Sequence, residues 1–176
     1  MQIILISGSA EHGKDLTARL FRDEMEVRGK KVLIFHYADY LKFICTKYFG
    51  WDGKKDEKGR EILQQVGTNI VRERDADFWV NSALSFFYVF AEDYDFILIP
   101  DTRFPNEISA MKQEFPDTIS VNVVRLNYEN SLTPEQRKHP SETALKGFKF
   151  DYTITSQSGL QFLSPEVDKF ISHYEF

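Results

Sequence analysis

The sequence predicts an α/β fold: a mostly parallel five-stranded sheet with helices on both faces. Three observations carry this. The apolar runs at residues 3–6 and 96–99 are continuous rather than alternating, as in strands covered on both faces. Segments of helical periodicity separate the strands, which favours right-handed crossovers. The first run also ends at Ser7-Gly8, where a glycine-rich loop leads directly into a helical pattern.

Taken in order, Ile3 to Ile6 is the first strand. A helix follows over residues 15–28, with Leu16, Leu20, Phe21 and Met25 near one face and Gly29 as its stop. Residues 31–35 read as the second strand and 40–48 as a short helix. Residues 51–59 are rich in Gly, Lys and Asp and read as an exposed loop. Two helices are predicted over 60–74 and 77–91. The third strand, 96–99, closes at Pro100-Asp101. A helix over 105–115 starts with Pro105 in its first turn. The fourth strand is 120–126 and the fifth 151–155, with a final helix over 165–173. Between the last two strands, residues 127–147 are polar and irregular and form a candidate lid within a single 1–176 domain. No internal repeat, low-complexity tract or linker interrupts the 176 residues.

Composition narrows the functional classes. The net charge of −5 argues against a broad nucleic-acid surface, which normally shows a basic excess. A small polyanion remains possible, because its site needs only a few focused positive groups. Cys45 is the single cysteine, so no internal disulfide forms and a reducing compartment is expected. The N-terminal apolar run has no basic leader and is too short to span a bilayer. A cytoplasmic protein with no membrane partner is the expectation. The sixteen phenylalanines must largely fill the core, so a single ring says little about base stacking.

The strongest motif is Gly8-Ser9-Ala10-Glu11-His12-Gly13-Lys14-Asp15, a G-x-x-x-x-G-K phosphate loop with Asp where Ser or Thr is usual. Between a buried strand and a helix, its backbone N–H groups and the helix N-terminus face a phosphate. Lys14 reaches the β- and γ-phosphates. His12 reads as a solvent-facing loop residue. Asp15 is open to two roles, a hard oxygen ligand for Mg²⁺ or a cap for the helix start. The run ending in Asp101 has the form of a Walker B element whose carboxylate supports Mg²⁺, although strand ends often carry acidic turn residues. Arg103 follows at the C-terminal edge of the sheet, where ligands bind in open α/β sheets.

The segment Asp101-Thr102-Arg103-Phe104-Pro105-Asn106-Glu107 resembles the D-x-R-F-x-N-E segment of phage-type deoxynucleoside monophosphate kinases. Four further stretches agree in family order. They are Gly13-Lys14-Asp15; Tyr37-Ala38-Asp39-Tyr40-Leu41-Lys42; Arg60 to Thr68 with Arg72 and Trp79 beyond; and His139-Pro140-Ser141-Glu142. Tyr37 and Tyr40 depart from the commoner Phe and Pro, and Pro100 precedes the acid. The resemblance implies phosphoryl transfer from ATP to a nucleoside monophosphate with Mg²⁺ as cofactor. It also implies an acceptor site beside the phosphate loop, a lid over it, a possible homodimer, and a host cytoplasm if the chain is phage-encoded.

In that setting Lys14, Arg103 and Arg137 are the candidate catalytic cations, and Gly8 through Asp15 hold the donor phosphates. Arg137 and Lys138 lie in the lid segment, though a solvated charge run would look the same. Asp39, Lys42, Arg60, Gln64, Arg72 and Arg103 form the candidate acceptor set, and Asp15 and Asp101 the metal set. Arginine suits the acceptor phosphate because its planar fork binds two oxygens. Arg72 and Arg103 are favoured for it. Asp39 and Gln64 suit the sugar or base. Helical spacing does not place Arg60, Arg72 and Arg74 on one face, so at least one belongs at the surface. Trp79 reads as core rather than as a base-stacking ring, and His139 and Glu142 as a local turn. Two alternatives stay open: a kinase of the same architecture acting on phosphomevalonate or dephospho-coenzyme A, and a nucleotide-dependent binding switch.

Overall fold

The computed structural model describes residues 1–54 and 56–176, so Lys55 of the predicted 51–59 loop lies outside the described residues. Five strands form one sheet in the order β2-β3-β1-β4-β5. They are β1 (Gln2–Ser7), β2 (Val32–Ile34), β3 (Phe96–Ile99), β4 (Ile119–Arg125) and β5 (Tyr152–Ser156), and every pairing is parallel. The helices are α1 (Lys14–Val27), α2 (Tyr37–Tyr48), α3 (Glu57–Gln64), α4 (Phe78–Phe90), α5 (Pro105–Glu114), α6 (Pro134–Lys138), α7 (Pro140–Thr143) and α8 (Leu160–His173). No described helix is long and apolar enough to cross a membrane.

Alternate strand residues face opposite layers, as a period of two requires. Ile4, Ile6, Leu98, Val121 and Val123 pack with Phe21 and Met25 of α1 and Val167 and Phe170 of α8. Ile3, Leu5, Ile97 and Ile99 face the other way, onto Trp79, Val80, Ala83 and Phe87 of α4 and Ile108 and Met111 of α5. Each such side chain contributes about 1.5–3 kcal/mol by leaving water, which is what fixes the sheet under the loops at its C-terminal edge.

Several expected boundaries move for identifiable reasons. The helix α2 begins at Tyr37, three residues early, because the Asp101 carboxylate accepts the Tyr37 and Ala38 N–H groups at 3.1 and 2.9 Å. The 51–59 stretch is not simply exposed: Trp51 is buried with Cys45 and Val66, and its indole N–H donates to the Lys54 carbonyl at 2.7 Å. The last helix starts at Leu160 rather than at Pro165, which sits inside it. Leu163 lies on the same buried stripe as Val167, Phe170 and Ile171, so packing outweighs the one backbone bond that proline removes. The 127–147 segment is less irregular than its composition suggests. Thr133 caps α6 by accepting the Gln136 N–H at 3.3 Å, while the Gln136 side chain accepts the Thr133 N–H at 3.2 Å.

The largest surprise is between α3 and α4. Residues Gln65–Arg72 continue α3 as a π-helix. The indole N–H of Trp79 donates to the Gly67 carbonyl at 3.0 Å. Gly67 has no side chain to obstruct the approach of α2, and a Cβ there would lie 2.7 Å from Leu41.

Candidate active site

A cleft of about 460 Å³ opens at the C-terminal edge of the sheet. One wall is the phosphate loop between β1 and α1. Gly8 adopts φ +145°, and a Cβ there would lie 2.4 Å from the Val123 carbonyl oxygen, so only glycine lets the loop pass β4. Gly13, at φ +97°, turns the chain into α1. Lys14 is 7 % exposed, and its ammonium donates to the Gly8 and Ser9 carbonyls at 2.9 and 2.8 Å. Burial, reinforced by the nearby Arg103, lowers its pKa to about 7.

His12 is not the solvent-facing residue expected. It is half-buried, and its Nδ1 accepts the Arg125 N–H at 3.1 Å, tying the loop to the end of β4. Burial lowers its pKa, with Lys14 adding to the effect. The Arg125 guanidinium in turn lies 3.8 Å from the Tyr128 ring and donates to the Ser158 hydroxyl at 2.7 Å.

Glu11, at φ +65°, joins the loop to the 127–147 segment. Its carboxylate accepts the Tyr128 hydroxyl at 2.8 Å, the Ser131 N–H at 3.1 Å and the Ser131 hydroxyl, with Arg60 at 3.7 Å. These bonds, the Ser131 hydroxyl first, lower its pKa from 4.5 to about 2. The folded value lies below the unfolded one, so this contribution is complete above pH 4.5 and disappears as pH falls through about 2. Glu11→Gln is therefore expected to speed amide exchange over residues 127–147 at neutral pH. The gap between wild type and variant, corrected for intrinsic exchange, should close between pH 4.5 and 2. A variant with wild-type protection at pH 7 would show that the carboxylate does not hold this segment.

The opposite wall is α3 and its π-helical continuation. In an uninterrupted α-helix, positions 60 and 72 would differ by about 120° around the axis. The wider turns beyond Gln64 cancel part of that drift. Arg60, Gln64, Thr68 and Arg72 consequently all line the cleft, and Arg74 is the arginine left exposed. Thr68 completes this ladder although it was not singled out as a site residue. Its signal in the sequence is the spacing of four from Gln64, which already puts the two on one helix face. Trp79 is buried, as expected of a core ring, but one edge also reaches the cleft.

Arg72 pairs with Glu107, lies 3.9 Å over the Phe104 ring, and donates to the Ala76 carbonyl at 3.1 Å. Glu107 is 1 % exposed and also accepts the Arg103 and Phe104 N–H groups at 2.6 and 3.0 Å. Burial pushes its carboxyl up to about 7 against the pull of Arg72. Arg103 bonds Glu142 at 2.7 Å and the Ser141 carbonyl at 3.4 Å, so the His139–Glu142 turn docks on the strand end. Asp39 bonds Lys42 at 2.7 Å. Arg137 does not line the cleft. Its guanidinium binds Glu129 at 2.7 Å and the Asn130 and Leu132 carbonyls at 2.8 and 3.0 Å, all within the 127–147 segment.

Asp101 and Asp15 differ in setting. Burial raises the Asp101 carboxyl, while its two backbone donors on α2 oppose that rise. Asp15 lies on the first turn of α1 with its side chain 68 % exposed, and its Oδ1 is 2.9 Å from the His36 Nε2. That bond raises the His36 pKa against burial. Among the described residues, no three His, Cys, Asp or Glu side chains form a complete metal cage. Hard carboxylate oxygens at a phosphate loop still suit Mg²⁺, which commonly takes one or two carboxylates and completes its shell with phosphates and water.

The fold is that of P-loop kinases. An APS kinase from Mycobacterium tuberculosis, in complex with AMPPNP and APS, superposes with a TM-score of 0.54 at 12 % identity, covering 99 % of this chain and 98 % of that one. A sugar kinase from Janibacter sp. gives 0.56 at 12 % identity, over 99 % and 94 %. Shikimate kinase from Aquifex aeolicus gives 0.53 at 12 % identity, over 99 % and 96 %. No curated protein matches the sequence. The family model for deoxynucleotide monophosphate kinase matches residues 34–167, from the end of the second strand into the last helix. The chain is a kinase and belongs to the deoxynucleotide monophosphate kinase family.

Proposed function

We propose that the enzyme transfers the γ-phosphoryl group of ATP to a deoxynucleoside monophosphate, giving the diphosphate. The observation that carries this reading is one cleft with two walls: the phosphate loop, and the ladder Arg60, Gln64, Thr68 and Arg72 facing it. A nucleotide switch needs only the first wall. The donor's phosphates lie along residues 8–15, with Lys14 swinging from the loop carbonyls to the β- and γ-oxygens. The acceptor's phosphate lies at Arg72 and Arg103, and its sugar and base lie among Asp39, Lys42, Arg60, Gln64 and Thr68. Asp15 and Asp101 would hold Mg²⁺, which would supply charge neutralisation to the donor's phosphates. The protein's part is positioning and electrostatic stabilisation, since phosphoryl transfer demands little covalent chemistry. Arg137 joins from the lid only if closure frees it from Glu129.

A panel of deoxynucleoside and ribonucleoside monophosphates with MgATP tests the proposal by following diphosphate formation. At least one deoxynucleotide should be phosphorylated far faster than phosphomevalonate or dephospho-coenzyme A. Preference for either of those, or ATP hydrolysis without any acceptor product, would overturn it.

A further inference from the structure

His36 belongs to none of the sequence motifs, yet it stands between the two walls of the cleft. Its backbone is extended, at φ −123° and ψ 130°, immediately before α2. The next two N–H groups are held by Asp101. The chain is therefore pinned from β3 at the point where the imidazole leaves it. One ring nitrogen, Nε2, is 2.9 Å from Asp15 Oδ1 on the phosphate-loop side. The other, Nδ1, is 3.5 Å from Asp39 Oδ2, and Asp39 is bound by Lys42. The His36 side chain is 26 % exposed against 68 % for Asp15, so the better-packed group holds the looser one.

We propose that His36 is a positioning residue for phosphoryl transfer: it orients the Asp15 carboxylate at the mouth of the phosphate loop. The inference rests on the proposed placement of the donor's phosphates along residues 8–15. The physical need comes from the substitution within the loop itself. A Ser or Thr at this position is short and neutral. An aspartate is longer and adds a negative charge where a triphosphate must sit. Asp39 and Asp101 add two more carboxylates nearby. A ring that bonds Asp15 from a fixed backbone removes the rotational freedom of that longer side chain. A carboxylate directed at a metal is usually held by such an outer partner, whose loss typically costs about 10- to 100-fold in metal affinity or activity.

The test compares His36→Ala with His36→Gln, whose side-chain amide can replace the Nε2–H donor. Steady-state kinetics give kcat and both KM values. Calorimetry gives ADP affinity with and without Mg²⁺, a readout independent of the acceptor. His36→Ala is expected to lower kcat about 10- to 100-fold. It should shrink the Mg²⁺-dependent gain in ADP affinity by a similar factor, leaving metal-free ADP affinity and melting temperature unchanged. His36→Gln should restore most of both losses. Wild-type kcat and an undiminished Mg²⁺ effect in His36→Ala would overturn the proposal. So would equal damage in both variants with a lowered melting temperature, which marks a structural role. Failure of the wild-type enzyme to bind ADP would instead overturn the donor placement, and the positioning role with it.

Discussion

Lys14→Ala is expected to lower kcat about 100- to 1000-fold, the usual consequence of removing one preorganised charge from a transition state. The fold should survive. In the free protein this ammonium is buried against two carbonyls and close to Arg103, and its pKa falls from 10.5 to about 7. The folded state thus holds this proton less tightly than the unfolded chain. Between pH 7 and 10.5 the unfolded state carries the extra proton, so this group makes stability rise with pH over that window. Lys14→Ala should flatten that rise and leave the melting temperature at pH 7 unchanged or higher. A triphosphate reverses the balance by setting anionic oxygens beside the ammonium. ADP binding near pH 7.5 should accordingly take up part of a proton, seen as a dependence of binding enthalpy on buffer ionisation. Variant turnover close to wild type would remove Lys14 from the catalytic machinery. Loss of turnover together with a large fall in melting temperature would make it structural instead.

The phosphate loop was legible because its information is local: a strand, two glycines at set spacing, a lysine and a helix. Much of the remaining site is not local. The position of Asp101 at a strand end could be read, but not its bonds to Tyr37 and Ala38, more than sixty residues earlier. His36 has no motif and became visible only when β3 and α1 were brought together. The arginine count was readable, whereas the π-helical path that lines up Arg60 and Arg72 depends on Gly67 meeting Leu41 and Trp79. Glu142 read as a turn residue because its partner, Arg103, lies 39 residues away. The Pro165 boundary failed for the opposite reason: a sound local rule was overridden by the buried stripe of α8.

The cations of the site share a pattern. Arg60 faces Glu11, Arg72 faces Glu107, Arg103 faces Glu142, and Lys42 faces Asp39. Four cations proposed to meet substrate phosphate, sugar or base are held by carboxylates in the free protein. Such pairing keeps the cationic side chains extended and lets a chain of net charge −5 bring Lys14, Lys42, Arg60, Arg72 and Arg103 to one cleft. It also means that an arriving phosphate exchanges with a carboxylate. The exchange is easiest at half-exposed Glu11 and hardest at buried Glu107.

The Arg72–Glu107 pair therefore allows binding to be separated from architecture. Arg72→Met leaves a buried carboxylate with its two backbone donors and no cation, and is expected to cost about 3–5 kcal/mol of stability. Glu107→Gln in the same chain removes the orphaned charge, while its amide oxygen can still accept the Arg103 and Phe104 N–H groups. The double variant should regain most of the lost stability, because coupled pairs are not additive. Acceptor use should behave differently. A charge-assisted bond to the monophosphate is worth about 1.5–3 kcal/mol, so acceptor kcat/KM should fall roughly 10- to 100-fold in the single variant. It should stay low in the double one, with the KM for ATP unchanged in both. Urea melts and acceptor kinetics on the wild type and the two variants read the two effects independently. If the double variant regains acceptor use along with stability, Arg72 serves only to neutralise Glu107, and the acceptor's phosphate belongs to Arg103 and Arg60.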